Sequence, residues 1–277
     1  MSLPVIGWIG TGVMGRSMAG HLLAAGHRVV VHTRTRERAA ELLAKGATWA
    51  DSPRAAADGA DVVCAMVGYP QDVEQAFLGP EGVLAGTHSP RLLIDFTTSS
   101  PALAQRIAAA AAERGILSID APVSGGDIGA RNATLSIMCG GSQEAFDAAR
   151  PVLERLGKTI VLQGPAGAGQ HTKMVNQLLI AGTMLGMAEA LSYARRSGLD
   201  PERVLQSVGG GAAASWSLAN LAPRVLKSDF APGFFIEHFL KDLRIALDEA
   251  QSLGLDLPCA AAAARTYQAL AEAGHAR

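Results

Sequence analysis

Val5-Ile6-Gly7-Trp8-Ile9-Gly10-Thr11-Gly12-Val13-Met14-Gly15 decides the fold: an apolar run ends in G-x-G-x-x-G, and an amphipathic segment, Val13 to Ala25, follows at once. Glycine at these positions allows a tight turn, lets a pyrophosphate approach backbone N–H groups, and permits close packing of helix on strand. A bare match is weak, but this one leaves a first strand, opens a helix and leads to a second strand, Arg28 to His32, at the spacing a dinucleotide site requires.

The same alternation continues along the chain. Asp61 to Val67, Leu92 to Thr97, Leu117 to Asp120, Leu135 to Gly140 and Thr159 to Gln163 read as strands. Thr35 to Lys45 and Ser100 to Arg114 read as helices, the latter opened by Ser100 as N-cap and Pro101 at N1. Strand-helix repetition predicts a parallel sheet with helices on both faces, a Rossmann-type α/β domain. After Gly164-Pro165-Ala166-Gly167 the strand signal stops. Gln170 to Ser197 is continuous and apolar nearly all round, which predicts a long buried helix packed between two bodies or against another subunit. The expected division is a dinucleotide-binding domain over 1–164 and an all-α domain over 165–277, and the long helix points to a homodimer or homotetramer.

Composition narrows the function classes. The 277 residues are 49% hydrophobic and 18% charged, and 24 Lys and Arg stand against 25 Asp and Glu, so a nucleic-acid footprint is not expected. The uncharged stretch Met174 to Ala188 is shorter than the roughly 20 residues that span a bilayer, and no membrane role is expected. Cys64, Cys139 and Cys259 lie in apolar runs and read as buried free thiols of a reducing compartment. The N-terminus lacks the pattern of a secretion signal, so a cytoplasmic location is expected. No histidine, cysteine and carboxylate spacing points to a metal.

The end of the second strand should select the cofactor. An NAD site places a carboxylate there for the ribose 2′-hydroxyl, whereas this chain has His32-Thr33-Arg34-Thr35-Arg36. Arg34 can pair with a 2′-phosphate and the Thr35 hydroxyl can add a donor, so NADP is expected over NAD, with NAD possible. The plainer reading makes Arg34 and Arg36 solvated residues at a helix start.

Three further segments carry candidate chemistry. Asp120-Ala121-Pro122-Val123-Ser124-Gly125-Gly126 follows a strand and offers a hydroxyl and open backbone N–H groups to a carboxylate, though alone it could be a plain turn. Gly167-Ala168-Gly169-Gln170-His171-Thr172-Lys173-Met174-Val175-Asn176-Gln177 opens the long helix and puts Lys173 and Asn176 on one face, although a lone first-turn lysine is usually a surface residue. Lys241-Asp242-Leu243-Arg244-Ile245-Ala246-Leu247 alone reads as an exposed helix end. Trp216, Phe234 and Phe235 could wall a pocket or pack a core equally well.

In order and spacing, these four segments resemble the β-hydroxyacid dehydrogenase family over nearly the whole chain. The resemblance implies a Rossmann domain followed by a helical domain, and hydride exchange between NAD(P) and a small β-hydroxy acid or its semialdehyde. It makes Lys173 the acid/base. Ser124, Gly125, Gly126 and Asn176 become substrate-binding. Gly10, Gly12, Val13, Met14, Gly15, Arg34, Thr35, Met66, Val67, Thr97 and Lys241 become cofactor-binding. Rival readings are a reductase of another small carbonyl such as succinic semialdehyde or glyoxylate, a reductase of an imine, and a non-catalytic dinucleotide-binding module. The acid itself is not named by the sequence, because candidates share the carboxylate anchor and differ beyond it.

Overall fold

Nine strands form one sheet in the computed structural model, which describes residues 3–277. They are β1 (Ile6–Ile9), β2 (Val29–His32), β3 (Thr48–Trp49), β4 (Val62–Ala65), β5 (Leu92–Asp95), β6 (Leu117–Asp120), β7 (Val123–Ser124), β8 (Leu135–Gly141) and β9 (Gly157–Gly164). The strand order is β3-β2-β1-β4-β5-β6-β8-β7, with β9 also paired to β8. Every pair from β3 to β6 is parallel, so the first six strands form the doubly wound sheet expected of a Rossmann-type domain. The chain then departs from an all-parallel sheet: β8 runs antiparallel to β6 and β7, and β9 returns parallel to β8.

The strands are apolar on both sides because both faces are covered. Trp8, Val31, Cys64 and Ile94 pack with Met18 and Leu22 in one core, while Val63, Ala65 and Leu93 pack with Val73, Phe77 and Ile107 in another. Ser100 caps the helix Pro101–Ala112 by accepting from the Leu103 backbone N–H at 3.2 Å. The segment after β2 starts less regularly than a plain helix, as a 3₁₀ turn Arg36–Ala39 followed by Ala40–Ala44.

The chain divides into two compact units, Met1–Lys173 and Met174–Arg277. The helix Ala168–Arg196 is continuous across the division. In the second unit, Ala181 packs with Phe239, Leu243 and Ala263, Met187 and Leu191 pack with Leu218 and Ala222, and Met174 packs with Ile245 and Ala246. These contacts use the helices Trp216–Asn220, Ala222–Leu226, Ile236–Ser252 and Pro258–Leu270. One side of this helix packs within the second unit, and the other is left for the second subunit that the sequence reading allows. Val175, Leu179 and Tyr193 are exposed, because the helices that pack on Ala181, Met187 and Leu191 cover one side only.

By length and composition this helix could cross a membrane, unlike the shorter stretch read from sequence. It also carries the buried polar side chains Gln170, Lys173 and Gln177, all of which are hydrogen-bonded within the protein. One correction concerns cysteine: Cys64 and Cys139 are buried free thiols, but Cys259, in the first turn of Pro258–Leu270, is exposed.

Candidate active site

The C-terminal ends of the parallel strands gather the polar residues that an apolar sheet otherwise excludes. Gly10, just after β1, has φ +94°, and a side chain there would collide with the carbonyl of Met66. A side chain at Gly15 would collide with the carbonyl of Gly10, which already accepts from Trp8 Nε1 at 2.8 Å. Above Gly12 the space is open. The helix Val13–Ala24 begins with no side-chain cap and no acidic residue in its first turn, leaving its first N–H groups to an external acceptor. The Thr11 hydroxyl is buried and has no hydrogen-bond partner among the described residues. An open backbone cradle, an uncapped helix start and an orphaned hydroxyl fit a dinucleotide pyrophosphate.

Next to this loop, Val67 N–H donates to Thr97 Oγ1 at 3.0 Å, and Thr97 N–H donates to Asp95 Oδ1 at 3.0 Å. Met66, Val67 and Thr97 therefore stand together with Gly10 on adjacent strand ends. Beyond β2, Arg34 is largely exposed and its guanidinium donates to Asp72 at 3.0 Å. Asp72 is itself fixed by the Tyr69 N–H at the start of the helix Pro70–Leu78. Arg34 thus points along the surface beside the cradle with most donors open, and Thr35 beside it is exposed. Arg36 differs: its guanidinium stacks on Trp49, 5.2 Å from the ring centre.

At the other end, Gly125 and Gly126 take positive φ of 129° and 62°, and nothing stands above Gly126. Lys173, only 7% exposed, donates from Nζ to the carbonyl of Val123 at 2.8 Å. The ammonium is therefore held one residue from Ser124. Asp120 accepts from the N–H of Gly167 at 2.7 Å and of Gln170 at 2.9 Å. Burial pushes its carboxyl up to about 6, against the opposing pull of these backbone donors. Gln170 is fully buried, donating to Thr97 O at 2.8 Å and accepting from Ser99 N–H at 2.9 Å.

In the second unit, Asn176 donates to Gln177 at 2.7 Å, Gln177 donates to Asp242 at 2.6 Å, and Lys241 Nζ lies 2.9 Å from the other Asp242 oxygen. Asn176 and Lys241 are thereby joined through two residues the sequence reading did not single out. Lys241 is also buried more deeply than an exposed helix end would be. Trp216 and Phe234 are exposed rather than packed in a core.

Residues 5–164 match the model of the NAD-binding domain of 6-phosphogluconate dehydrogenase, and residues 167–277 match the NAD-binding model of NADP-dependent 3-hydroxyisobutyrate dehydrogenase. The chain belongs to the β-hydroxyacid dehydrogenase family. This β-hydroxyacid dehydrogenase is 53% identical to an uncharacterized oxidoreductase of Bacillus subtilis, over 97% of this chain and 93% of that one. It is 41% identical to a 3-hydroxyisobutyrate dehydrogenase of Pseudomonas aeruginosa, covering 97% and 92% of the two chains. A Mycobacterium tuberculosis 3-hydroxyisobutyrate dehydrogenase solved with L-serine superposes with a TM-score of 0.90 at 34% identity, covering 99% of this chain and 96% of that one. The family member described here is an NAD(P)-dependent enzyme, in keeping with the cradle at Gly10 to Gly15.

Five residues that the sequence reading did not single out hold the candidates in place: Asp72, Asp120 and Gln170 in the first unit, Gln177 and Asp242 in the second. Four of them lie inside the motifs, where position beside a candidate was the available signal. Asp72 lies in none of them, and only the fold brings it to Arg34.

Proposed function

We propose that this enzyme interconverts a small β-hydroxy acid and its semialdehyde, with Lys173 as acid/base. The observation that carries the reading is the Lys173–Val123 hydrogen bond, which holds a buried ammonium next to Ser124, Gly125 and Gly126 at the strand ends that also bear the dinucleotide cradle. Similarity to a 3-hydroxyisobutyrate dehydrogenase of Pseudomonas aeruginosa and a 2-hydroxy-3-oxopropionate reductase of Escherichia coli supports this substrate class.

Residues 1–164 form the cofactor domain and 165–277 the helical domain in this reading. Gly10, Gly12, Val13, Met14 and Gly15 hold the pyrophosphate. Met66, Val67, Thr97 and Lys241 border the nicotinamide. Arg34 and Thr35 favour NADP by meeting a 2′-phosphate. Bound nicotinamide supplies or accepts the hydride. Ser124 and the N–H groups of Gly125 and Gly126 hold the substrate carboxylate, and Asn176 orients the reacting hydroxyl. In oxidation Lys173 accepts the hydroxyl proton; in reduction its ammonium polarises the carbonyl oxygen and returns that proton.

The exposed apolar side of Ala168–Arg196, with Val175, Leu179 and Tyr193, supports assembly as a homodimer or homotetramer. Light scattering of wild type and of Leu179→Glu tests this: a monomeric wild type would remove it. Two buried free thiols are in keeping with a cytoplasmic enzyme. The substrate is tested by screening C2 to C4 hydroxy acids and semialdehydes, glyoxylate and succinic semialdehyde included, with NADP(H) and NAD(H). Turnover of a β-hydroxy acid that is lost in Lys173→Ala supports the proposal. Turnover confined to glyoxylate or succinic semialdehyde would shift it to those carbonyls.

A further inference from the structure

Asp120 stands out among the buried ionisable groups because the chemistry above does not use it. Its carboxylate is confined by glycine backbone. A side chain at Gly140 would meet Asp120 Oδ1 at 2.5 Å, and one at Gly169 would meet Asp120 Oδ2 at 2.7 Å and collide with the carbonyl of Met138. Gly167 has φ +92° and donates its N–H to Oδ1, while Gln170 N–H donates to Oδ2. Both oxygens are thus committed to the start of the helix Ala168–Arg196, and the glycines at 140 and 169 leave room for that approach.

The same turn is held a second time. Gln170, fully buried, bridges Thr97 O and Ser99 N–H at the end of β5, and Thr97 in turn receives Val67 N–H. Lys173 follows Gln170 by three residues, less than one helical turn, so a displacement of the first turn carries its ammonium away from Val123.

We infer that Asp120 is a positioning residue: seated among Gly140, Gly167 and Gly169, it anchors the first turn of the long helix and with Gln170 fixes where Lys173 Nζ stands. The inference rests on the acid/base reading of Lys173. Charge at Asp120 complements the helix dipole, and two charge-assisted bonds to main-chain N–H groups resist sliding of the turn.

The test uses the full chain with Asp120→Asn, which keeps the size and one acceptor but turns the other oxygen into a donor facing an N–H. Acetylation of the NADPH-bound protein, read by peptide mass spectrometry, should show Lys173 labelled about tenfold faster than in wild type, relative to exposed Lys45 and Lys158. With 3-hydroxyisobutyrate and NADP⁺, kcat should fall about 10–100-fold while the NADPH dissociation constant is unchanged. Unchanged relative labelling of Lys173 overturns the inference, and so does a fall in kcat matched by an equal loss of NADPH-binding sites. Wild type inert toward 3-hydroxyisobutyrate and the wider panel would strike the functional reading, and labelling alone would then decide the positioning role. Should Asp120→Asn not accumulate folded, Gln170→Met releases the same turn without touching the carboxylate, and the same labelling ratio decides.

Discussion

Lys173 Nζ donates to the carbonyl oxygen of Val123 at 2.8 Å, so a residue at the start of the long helix is tied to the backbone immediately before Ser124. Lys173→Ala should lower kcat about 10²–10⁴-fold, because proton transfer at the substrate oxygen loses its partner. NADPH binding, followed by fluorescence titration, should persist. A variant with near-wild-type kcat would remove Lys173 from the acid/base role.

Arg34 reaches Asp72 through one arm and keeps its other donors. Arg34→Ala should raise KM for NADPH about tenfold, the scale of one lost charge-assisted hydrogen bond, and leave KM for NADH nearly unchanged. An unaltered ratio of the two KM values would place Arg34 outside the cofactor site.

The thiols should separate by burial. Burial, with the nearby Asp120 carboxylate, pushes Cys139 up to about 12, and burial also raises Cys64, while Cys259 is exposed. Native protein at pH 8 should therefore titrate one fast thiol with a disulfide reagent, and denatured protein three. Loss of the fast phase in Cys259→Ser identifies it; a fast phase that survives this change contradicts the assignment.

Asp120 gives a pH signature with a definite sign. Its carboxyl is raised from an ordinary 3.8 to about 6, so between those values the folded chain retains a proton that the unfolded chain has lost. The resulting stability is fully present below 3.8 and is lost as pH rises through about 6. Urea unfolding across pH 4 to 7 should show the stability difference, wild type minus Asp120→Asn, declining with pH. A flat difference would mean that Asp120 titrates normally.

Much of this fold was legible because it is written locally. Apolar runs four residues long alternate with amphipathic segments, and Ser100-Pro101 marks a helix start that the structure reproduces. β3 and β7 escaped because two-residue strands have no period to detect. The long helix was found, but which of its sides packs within the chain was not, since a hydrophobic sequence records the need for cover and not what supplies it. Among site residues, Asp120 and Gln170 lay in view inside their motifs. Their roles depend on partners about 50 and 70 positions away, which no local pattern encodes.

The indole of Trp8 is fully buried, stacked on Phe96 at 5.8 Å and tethered to the carbonyl of Gly10. It therefore sits under the cofactor turn as a built-in optical reporter. Its emission belongs at the blue edge, out of reach of aqueous quenchers, whereas Trp216, 66% exposed, contributes the red and quenchable part of the spectrum. Trp49, half-buried beneath Arg36, is the third indole, so a Trp49→Phe protein leaves blue emission to report on the glycine turn and red emission on the helical unit without a dye attached to either.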